Sequence, residues 1–172
     1  MRKTITLIAL LGACISAGFA QVKVGVINSQ DVLEKSTEGK KVLARLQEAN
    51  NQNQTQLATL DEQIRKLQTE LTTQRITMTE DAIMAKNADL ERKNTDRKRK
   101  GEDAYAGMQD LSQRLFKKIQ DELIPLVEQI GREKGYDIIF DLAKSGAIYW
   151  SPAIDLTTEV IKRYDASKAA GK

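Results

Sequence analysis

The chain has 172 residues, of which 41% are hydrophobic, 5% aromatic and 30% charged, with no histidine, one cysteine and two prolines. Because histidine is the most common general base, and histidine and cysteine are the usual zinc ligands, this composition argues against an enzyme or a metal- or cofactor-dependent protein. Scarce aromatics and prolines in a charge-rich chain are typical of extended helices and not of a large globular core.

The first twenty residues have the pattern of a secretory signal. Arg2 and Lys3 precede an apolar run from Ile5 to Ile15, and Gly18-Phe19-Ala20 offers small residues at a cleavage site before Gln21. The apolar run is shorter than the roughly 20 residues that a membrane-spanning helix needs. We therefore expect the chain to be exported and cleaved after Ala20.

Lipidation of Cys14 is an alternative, because residues 10–14 (LLGAC) resemble the lipobox of bacterial lipoproteins. Cleavage after Ala20 instead leaves 152 residues without cysteine, so the mature chain needs no disulfide.

The 25 basic and 24 acidic residues of this expected mature chain almost balance, but they are unevenly distributed. Residues 86–118 carry ten basic and six acidic side chains, whereas residues 119–165 carry five and nine.

A strand and then a long helix are predicted at the start of the mature chain. Residues 22–27 are rich in β-branched side chains. Asn28 or Ser29 is expected to cap a helix with Asp31 in its first turn. One helix from Gln30 to Ile76 would be a rod on the order of 70 Å long. Alternating spacings of three and four residues predict a coiled-coil seam made of Leu43, Leu46, Asn50, Asn53, Leu57, Leu60, Ile64, Leu67 and Leu71.

A second helix is predicted to return along the first. Thr79, Glu80 and Asp81 form a helix start, and the threonines just before them indicate the tip of a hairpin. Folding there pairs positions whose numbers sum to about 155, so that Ile64 faces Leu90. The matching seam consists of Ile83, Asn87, Leu90, Asn94, Arg97, Gly101, Ala104, Met108, Leu111 and Leu115.

The predicted seam is polar in its middle, where Leu57 and Leu60 face Arg97 and Asn94. Polar seam positions often fix the register of a long coiled coil, which is one interpretation. The other is an arm whose leucines stay available to unlike partners. These two interpretations are left open by the residues alone.

A small base of strands is predicted after the arm. The helix continues through residues 123–127, with Pro125 kinking it or opening a new turn, and ends at Gly135. Residues 136–141 are expected to form a strand and residues 147–150 its hairpin partner, before a last helix that packs through Val160, Ile161 and Tyr164. The expected fold class is α+β: a long antiparallel helical hairpin on a small β body.

Three short strands make a marginal core, and their open edges favour self-association into a closed ring. The expected division is a signal peptide at 1–20, a β-containing oligomerisation body at 21–29 and 119–172, and a helical hairpin arm at 30–118.

The two ends of the mature chain resemble the OmpH-like periplasmic chaperones, the family typified by Skp. The resemblance lies in residues 24–28 (VGVIN), Ser36, Gly39-Lys40, and the closing stretches 133–141, 146–150 and 155–157. It implies a homotrimer with a barrel-like body from which three hairpins project around a cavity. It also implies a periplasmic holdase that binds unfolded outer-membrane proteins without ATP, and some members are thought to bind lipopolysaccharide or anionic lipid.

Two sets of arm residues are the candidate site. The apolar arm set, expected to contact an unfolded client, comprises Leu57, Leu60, Leu67, Ile76, Met78, Ile83, Met84 and Leu90. The basic patch comprises Arg92, Lys93, Arg97, Lys98, Arg99 and Lys100. A solvated helix face is the plainer interpretation of the basic patch. Nucleic acid is disfavoured because acidic residues interrupt the patch and stacking aromatics are missing.

No active site is expected, since carboxylate pairs such as Asp61-Glu62 fall on solvated helix faces. The alternative function is structural: a coiled-coil spacer or lipoprotein tether of the cell envelope.

Overall fold

Two long helices joined by a tight turn dominate the chain, which a computed structural model describes for residues 21–171. The predicted signal segment and Cys14 lie outside these residues. In chain order the elements are β1 (Val24–Ile27), α1 (Ser29–Lys35), α2 (Thr37–Thr73), a 3-10 helix (Arg75–Thr77), α3 (Glu80–Lys134), β2 (Ile138–Asp141), α4 (Leu142–Ser145), a second 3-10 helix (Pro152–Ile154) and α5 (Thr157–Ala170). At the usual helical rise α2 is about 55 Å long and α3 about 80 Å.

The first long helix is broken near its start, so the prediction of one rod from Gln30 to Ile76 is wrong. Ser36 has an extended backbone (φ −70°, ψ 155°), and its hydroxyl accepts a hydrogen bond from the N–H of Gly39 at 3.1 Å. The N–H of Ser36 donates to the carbonyl of Val32 at 3.0 Å. One buried serine therefore ends α1 and caps α2, which makes an elbow between them.

Local capping signals elsewhere were predicted correctly. The Asn28 side chain accepts hydrogen bonds from the first backbone N–H groups of α1, and Asp31 lies in that helix's first turn. Thr79 caps α3, and Gly135 ends it in the left-handed conformation with φ of 67°. α3 runs through Pro125 as a single helix.

The sheet consists of two parallel strands drawn from opposite ends of the chain. β1 pairs with β2 in the register Val24↔Ile138 to Ile27↔Asp141. The predicted hairpin partner at residues 147–150 is wrong, because that segment forms no strand in the described chain. The Asp141 carboxylate accepts a hydrogen bond from the N–H of Ala143 at 3.2 Å, so the chain turns into α4 directly after β2.

The core lies where these strands, the elbow and the roots of the long helices meet. The last helix joins it as predicted: Val160 and Tyr164 are buried and Ile161 packs against them. The buried cluster comprises Ile27, Val32, Val42, Ile119, Leu123, Ile130, Leu156, Val160 and Tyr164. In residues 21–171, none of the helices has the length and hydropathy to cross a membrane.

We expect Gly39→Ala to lower the free energy of unfolding by about 2–3 kcal/mol. A Cβ at Gly39 would overlap the carbonyl oxygen of Leu33, which belongs to the backbone of α1. The elbow must therefore open to admit even one methyl group. Urea denaturation followed by circular dichroism at a fixed protein concentration measures the change.

Gly107→Ala is the matched control, because it places the same methyl group in the middle of α3 where nothing lies within 4 Å. Alanine is the better helix former, so this variant should gain up to about 1 kcal/mol. Equal stability of the two variants would contradict the close approach at the elbow.

Candidate functional site

Polar contacts between the two long helices fix the register of the hairpin. Lys86 forms an ion pair with Glu70, Lys93 Nζ donates to Gln63 Oε1 at 2.9 Å, and Arg97 forms two hydrogen bonds to Asp61 at 2.8 and 3.2 Å. Nearer the root, Lys118 Nζ lies 3.9 Å from Glu38. The residue numbers of each pair sum to 156 or 158. The predicted sum was about 155, so the register of the hairpin is confirmed to within a few residues.

The predicted seam is wrong at several polar positions. Asn87 and Asn94 are exposed, and the Asn94 amide donates to the carbonyl of Leu90 in its own helix at 2.9 Å. Lys86 and Lys93, one residue earlier in each repeat, are half-buried and reach across the hairpin. Long lysine stems can cover apolar surface while the ammonium group meets a polar partner. This explains why Lys86 and Lys93, and not the neighbouring asparagines, make the contacts across the hairpin.

At the start of the first seam, Val42 is buried and the predicted Leu43 is 37% exposed. Between residues 43 and 118 only Ile64 is buried. The arm is therefore a hairpin with very little core of its own. Its stability rests mostly on helix formation and on polar pairs across the seam.

The apolar arm set divides into two parts. Ile76 is 99% exposed at the tip and Met84 is 69% exposed at the start of α3. The remaining members are half-buried along the seam: Leu57, Leu60, Leu67, Met78, Ile83 and Leu90. The tip thus offers apolar side chains freely, whereas the seam leucines offer only part of their surface.

The basic patch also divides into two parts. Arg92 pairs with Asp89 at 2.6 Å, and Lys93 and Arg97 are held by the contacts across the hairpin. Beside Arg97, the pKa of the Asp61 carboxyl is lowered by the hydrogen bond that Arg97 donates.

Lys98, Arg99 and Lys100 are exposed and form no ion pair within residues 21–171. Arg99 and Lys100 line a shallow groove of about 580 Å³ together with Leu60. Asp96 and Asp103 line the same groove, so it brings Leu60 of one helix beside both positive and negative side chains of the other.

An electrostatic cluster attaches α5 to the root of α3. The Glu122 carboxylate accepts hydrogen bonds from the Tyr164 hydroxyl at 2.5 Å and from Lys168 Nζ at 2.7 Å. Partial burial raises the pKa of Glu122, but the hydrogen bonds from Lys168 and Tyr164 outweigh it and hold that pKa below its ordinary value of 4.5. Burial and the neighbouring Glu122 raise the pKa of Tyr164, so its hydroxyl stays protonated as the donor.

An apolar groove of about 560 Å³ opens at the root of the arm. Phe116 and Ile124 line it and are 40% and 48% exposed, and Ile138 and Phe140 of β2 are exposed to a similar degree. Ile148 and Tyr149, in the segment once predicted as a strand, are 99% and 85% exposed. Exposed large apolar side chains therefore lie around the root of the arm and at residues 148–149.

Three carboxylate pairs lie on helix surfaces, because both members of each are exposed: Asp61-Glu62, Glu80-Asp81 and Glu102-Asp103. In residues 21–171 there is no group of three or more histidine, cysteine, aspartate or glutamate side chains that could hold a metal ion.

Comparisons with known proteins match almost the whole described chain. The model of the family described as "Outer membrane protein (OmpH-like)" matches residues 23–164. The crystal structure of a protein described as an outer membrane chaperone (OmpH-like), from Caulobacter crescentus CB15, superposes with a TM-score of 0.75 at 23% identity. The match covers 87% of this chain and 88% of that one, and it confirms the predicted fold class. No curated protein matches the chain significantly.

We expect Glu122→Gln to lower the free energy of unfolding by about 1 kcal/mol near neutral pH. Since the folded-state pKa of Glu122 is depressed, its contribution is present above the unfolded-state pKa and is lost as the pH falls through the folded-state value. The difference between wild type and variant should therefore shrink as the pH falls to about 3. Urea denaturation across that pH range measures it.

Glu62→Gln is the control, because Glu62 makes only an exposed ion pair with Lys66 at 3.1 Å. Such pairs contribute little, so this variant should match wild type at every pH. A constant difference between wild type and Glu122→Gln down to acid pH would exclude the ionised carboxylate as the stabilising group.

Proposed function

The chain belongs to the OmpH-like family of outer membrane proteins, and on that basis we propose that it is an ATP-independent periplasmic holdase chaperone. Its clients would be unfolded outer-membrane proteins, which it would keep from aggregating during transit. The signal pattern of the first twenty residues supports a periplasmic location. The matching Caulobacter crescentus protein, described as an outer membrane chaperone, supports the chaperone activity.

The observation that carries this proposal is the combination of a thin arm core with exposed apolar and basic groups. Ile76 and Met84 are exposed near the tip, and Leu60 lies beside Arg99 and Lys100. An unfolded membrane barrel exposes alternating apolar side chains and often carries net negative charge. Positive charge attracts such a chain over a Debye length of roughly 8 Å at physiological salt.

Many weak contacts suit a holdase that uses no nucleotide. Each apolar or charged contact along the arm is individually weak, so a client is held by their number. Local release at one point leaves the other contacts in place. Dissociation then proceeds stepwise without an energy source, when the client finds a more stable folded state elsewhere.

We also propose that three copies assemble through the body, residues 21–29 and 119–172, and project their arms, residues 30–118, around a shared cavity. Support comes from the apolar groove at the root and from the two-stranded sheet. The outer side of β1 is bridged at Val26 to Asp155, whereas β2 pairs with no further strand on its other side in residues 21–171. Exposed strand edges and apolar surface of this kind favour pairing with another copy. The trimer itself is the state that the family resemblance implies.

A structural spacer is the weaker alternative. A strut needs a continuous apolar seam that closes the two helices on each other. Here a single buried residue, Ile64, supports the hairpin between residues 43 and 118, and Lys93 occupies the position where an apolar side chain would close the seam. These features make the hairpin a poor strut and a suitable binding surface.

The purified mature protein should suppress aggregation of an outer-membrane β-barrel protein diluted from urea, without added nucleotide. Light scattering records aggregation, and the oligomeric state is measured in the same buffer. We expect suppression at a few-fold molar excess of chaperone. If the protein remains folded and trimeric yet scattering rises as in buffer alone, the holdase assignment is wrong.

Reversing the free positive charges should slow client capture. We expect the triple variant Lys98→Glu, Arg99→Glu and Lys100→Glu to lower the association rate by about tenfold at low salt, and by less at high salt, because screening removes the attraction. Stopped-flow fluorescence of a labelled, urea-unfolded barrel protein measures the rate.

The matched control reverses three exposed cations outside the basic patch: Lys40→Glu, Arg45→Glu and Lys162→Glu. It makes the same change in net charge, so an equal loss of rate in both variants would assign the effect to total charge. A rate unchanged by the first variant at every salt concentration would show that the basic patch is only solvated. Addition of anionic lipid vesicles tests whether the same cations bind lipid phosphate or lipopolysaccharide.

A further inference from the structure

The middle of α2 contains an uncharged stretch, residues 49–60 (ANNQNQTQLATL). Half of these twelve residues are asparagine or glutamine, and no other run without charge is as long in residues 21–171. In a chain with 30% charged residues this is an unusual composition for a helix exposed to water.

A second uncharged stretch lies across the hairpin from the first. Residues 104–109 (AYAGMQ) carry no charge, and the hairpin register places them opposite residues 48–53. The register is fixed on both sides of this region, by Arg97 with Asp61 toward the tip and by Lys118 with Glu38 toward the root. The fold therefore brings the two uncharged stretches together as one zone of the arm, which we name the amide belt.

The side chains of the amide belt keep hydrogen-bonding capacity. Within residues 21–171, Asn50, Asn53, Gln54 and Gln56 form no side-chain hydrogen bond. Gln47 donates to Asn51 at 2.8 Å and Gln52 to Glu48 at 3.3 Å along one helix face, which leaves further donors and acceptors on Asn51 and Gln52. These two residues, Thr55 and Gln56 line a shallow groove of about 680 Å³.

Tyr105 adds an apolar surface to this zone. Its side chain is 69% exposed, and its hydroxyl accepts a hydrogen bond from Gln109 at 2.8 Å. Gly107, two residues on, leaves open space in which nothing lies within 4 Å of a Cβ position. Its ring therefore lies beside the amide of Gln109 in the second stretch, where an aromatic surface can partly exclude water from a bound chain.

We propose that the amide belt is a second client-contact zone that binds extended polypeptide through the client's own backbone N–H and C=O groups. This inference rests on the proposed holdase function and deepens it. Each primary amide offers two donors and an acceptor, which match the groups that an unfolded strand leaves unpaired. Apart from Glu48, the side chains that line the groove of Asn51 and Gln56 are uncharged, so recognition there depends little on the charge of the client segment.

The test variant is Asn51→Ala, Gln52→Ala and Gln56→Ala in the full mature chain. Alanine favours the helix and leaves the net charge unchanged, so the loss is confined to hydrogen-bonding groups. The probe is a labelled outer-membrane β-barrel protein diluted from urea, titrated in about 0.5 M salt so that attraction to the basic patch is screened. We expect affinity to fall by about five- to tenfold, as the loss of one or two net hydrogen bonds predicts.

The matched control removes three exposed amides outside the belt: Gln68→Ala, Gln113→Ala and Gln129→Ala. It should bind within about twofold of wild type. A competitor peptide of alternating serine and valine, compared with its backbone N-methylated form, tests the chemistry. The unmethylated peptide should displace the client from wild type at lower concentration than the methylated one, and this preference should disappear in the belt variant.

The outcomes separate the two proposals. A belt variant that binds like wild type, or that loses no more than the control, overturns the amide belt and leaves the holdase function standing. Equal competition by the two peptides overturns backbone recognition in the same way. A wild-type protein that does not bind the unfolded barrel overturns the holdase function, and the amide belt falls with it.

Discussion

The parallel pairing of β1 with β2 is the constraint on which the rest of the structure depends. It joins residues 24–27 to residues 138–141, and the N–H of Lys23 donates to the Asp137 carboxylate at 2.7 Å across 114 residues of sequence. The entropy cost of closing a loop grows only slowly with its length, so closing this long loop costs little more than closing a shorter one. The hairpin brings the ends together by itself, because its helices run out and back. The strands then fix where both helices begin and leave the arm free to project.

The molecule concentrates its stability at the root and places little in the arm. Nine buried hydrophobic residues cluster where α1, α5 and the strands meet, whereas only Ile64 is buried between residues 43 and 118. Exposed ion pairs contribute at most about 1 kcal/mol each, so Arg97 with Asp61 sets register more than it adds stability. Low burial is the physical mark of segments that open locally without global unfolding. The arm can thus open locally while the root stays folded.

Features encoded by neighbouring residues could be predicted from the sequence, and features set by distant pairing could not. The caps at Asn28, Thr79 and Gly135 and the hairpin register follow from local signals. The prediction of a strand at residues 147–150 is wrong, because β2 pairs with β1, which is far away in sequence. The seam position predicted at Asn94 is wrong by one residue, since apolar spacing cannot reveal that Lys93 reaches across to Gln63. The basic patch was found by composition, but only the structure shows which of its cations are paired.

Along the arm, the proposed contact zones differ in chemistry and in distance from the root. The exposed apolar residues lie at the tip, and the amide belt begins about 25 Å closer to the body at the usual helical rise. The free cations Lys98, Arg99 and Lys100 lie opposite the tipward end of the belt, where Arg99 and Lys100 share a groove with Gln56 and Leu60. An extended client strand alternates apolar and polar side chains along one uniform backbone. Apolar and basic groups can select such a strand by its side chains, whereas amides can bind any part of it. A client that folds withdraws its backbone into its own hydrogen bonds, so the belt loses its ligand when the client no longer needs protection.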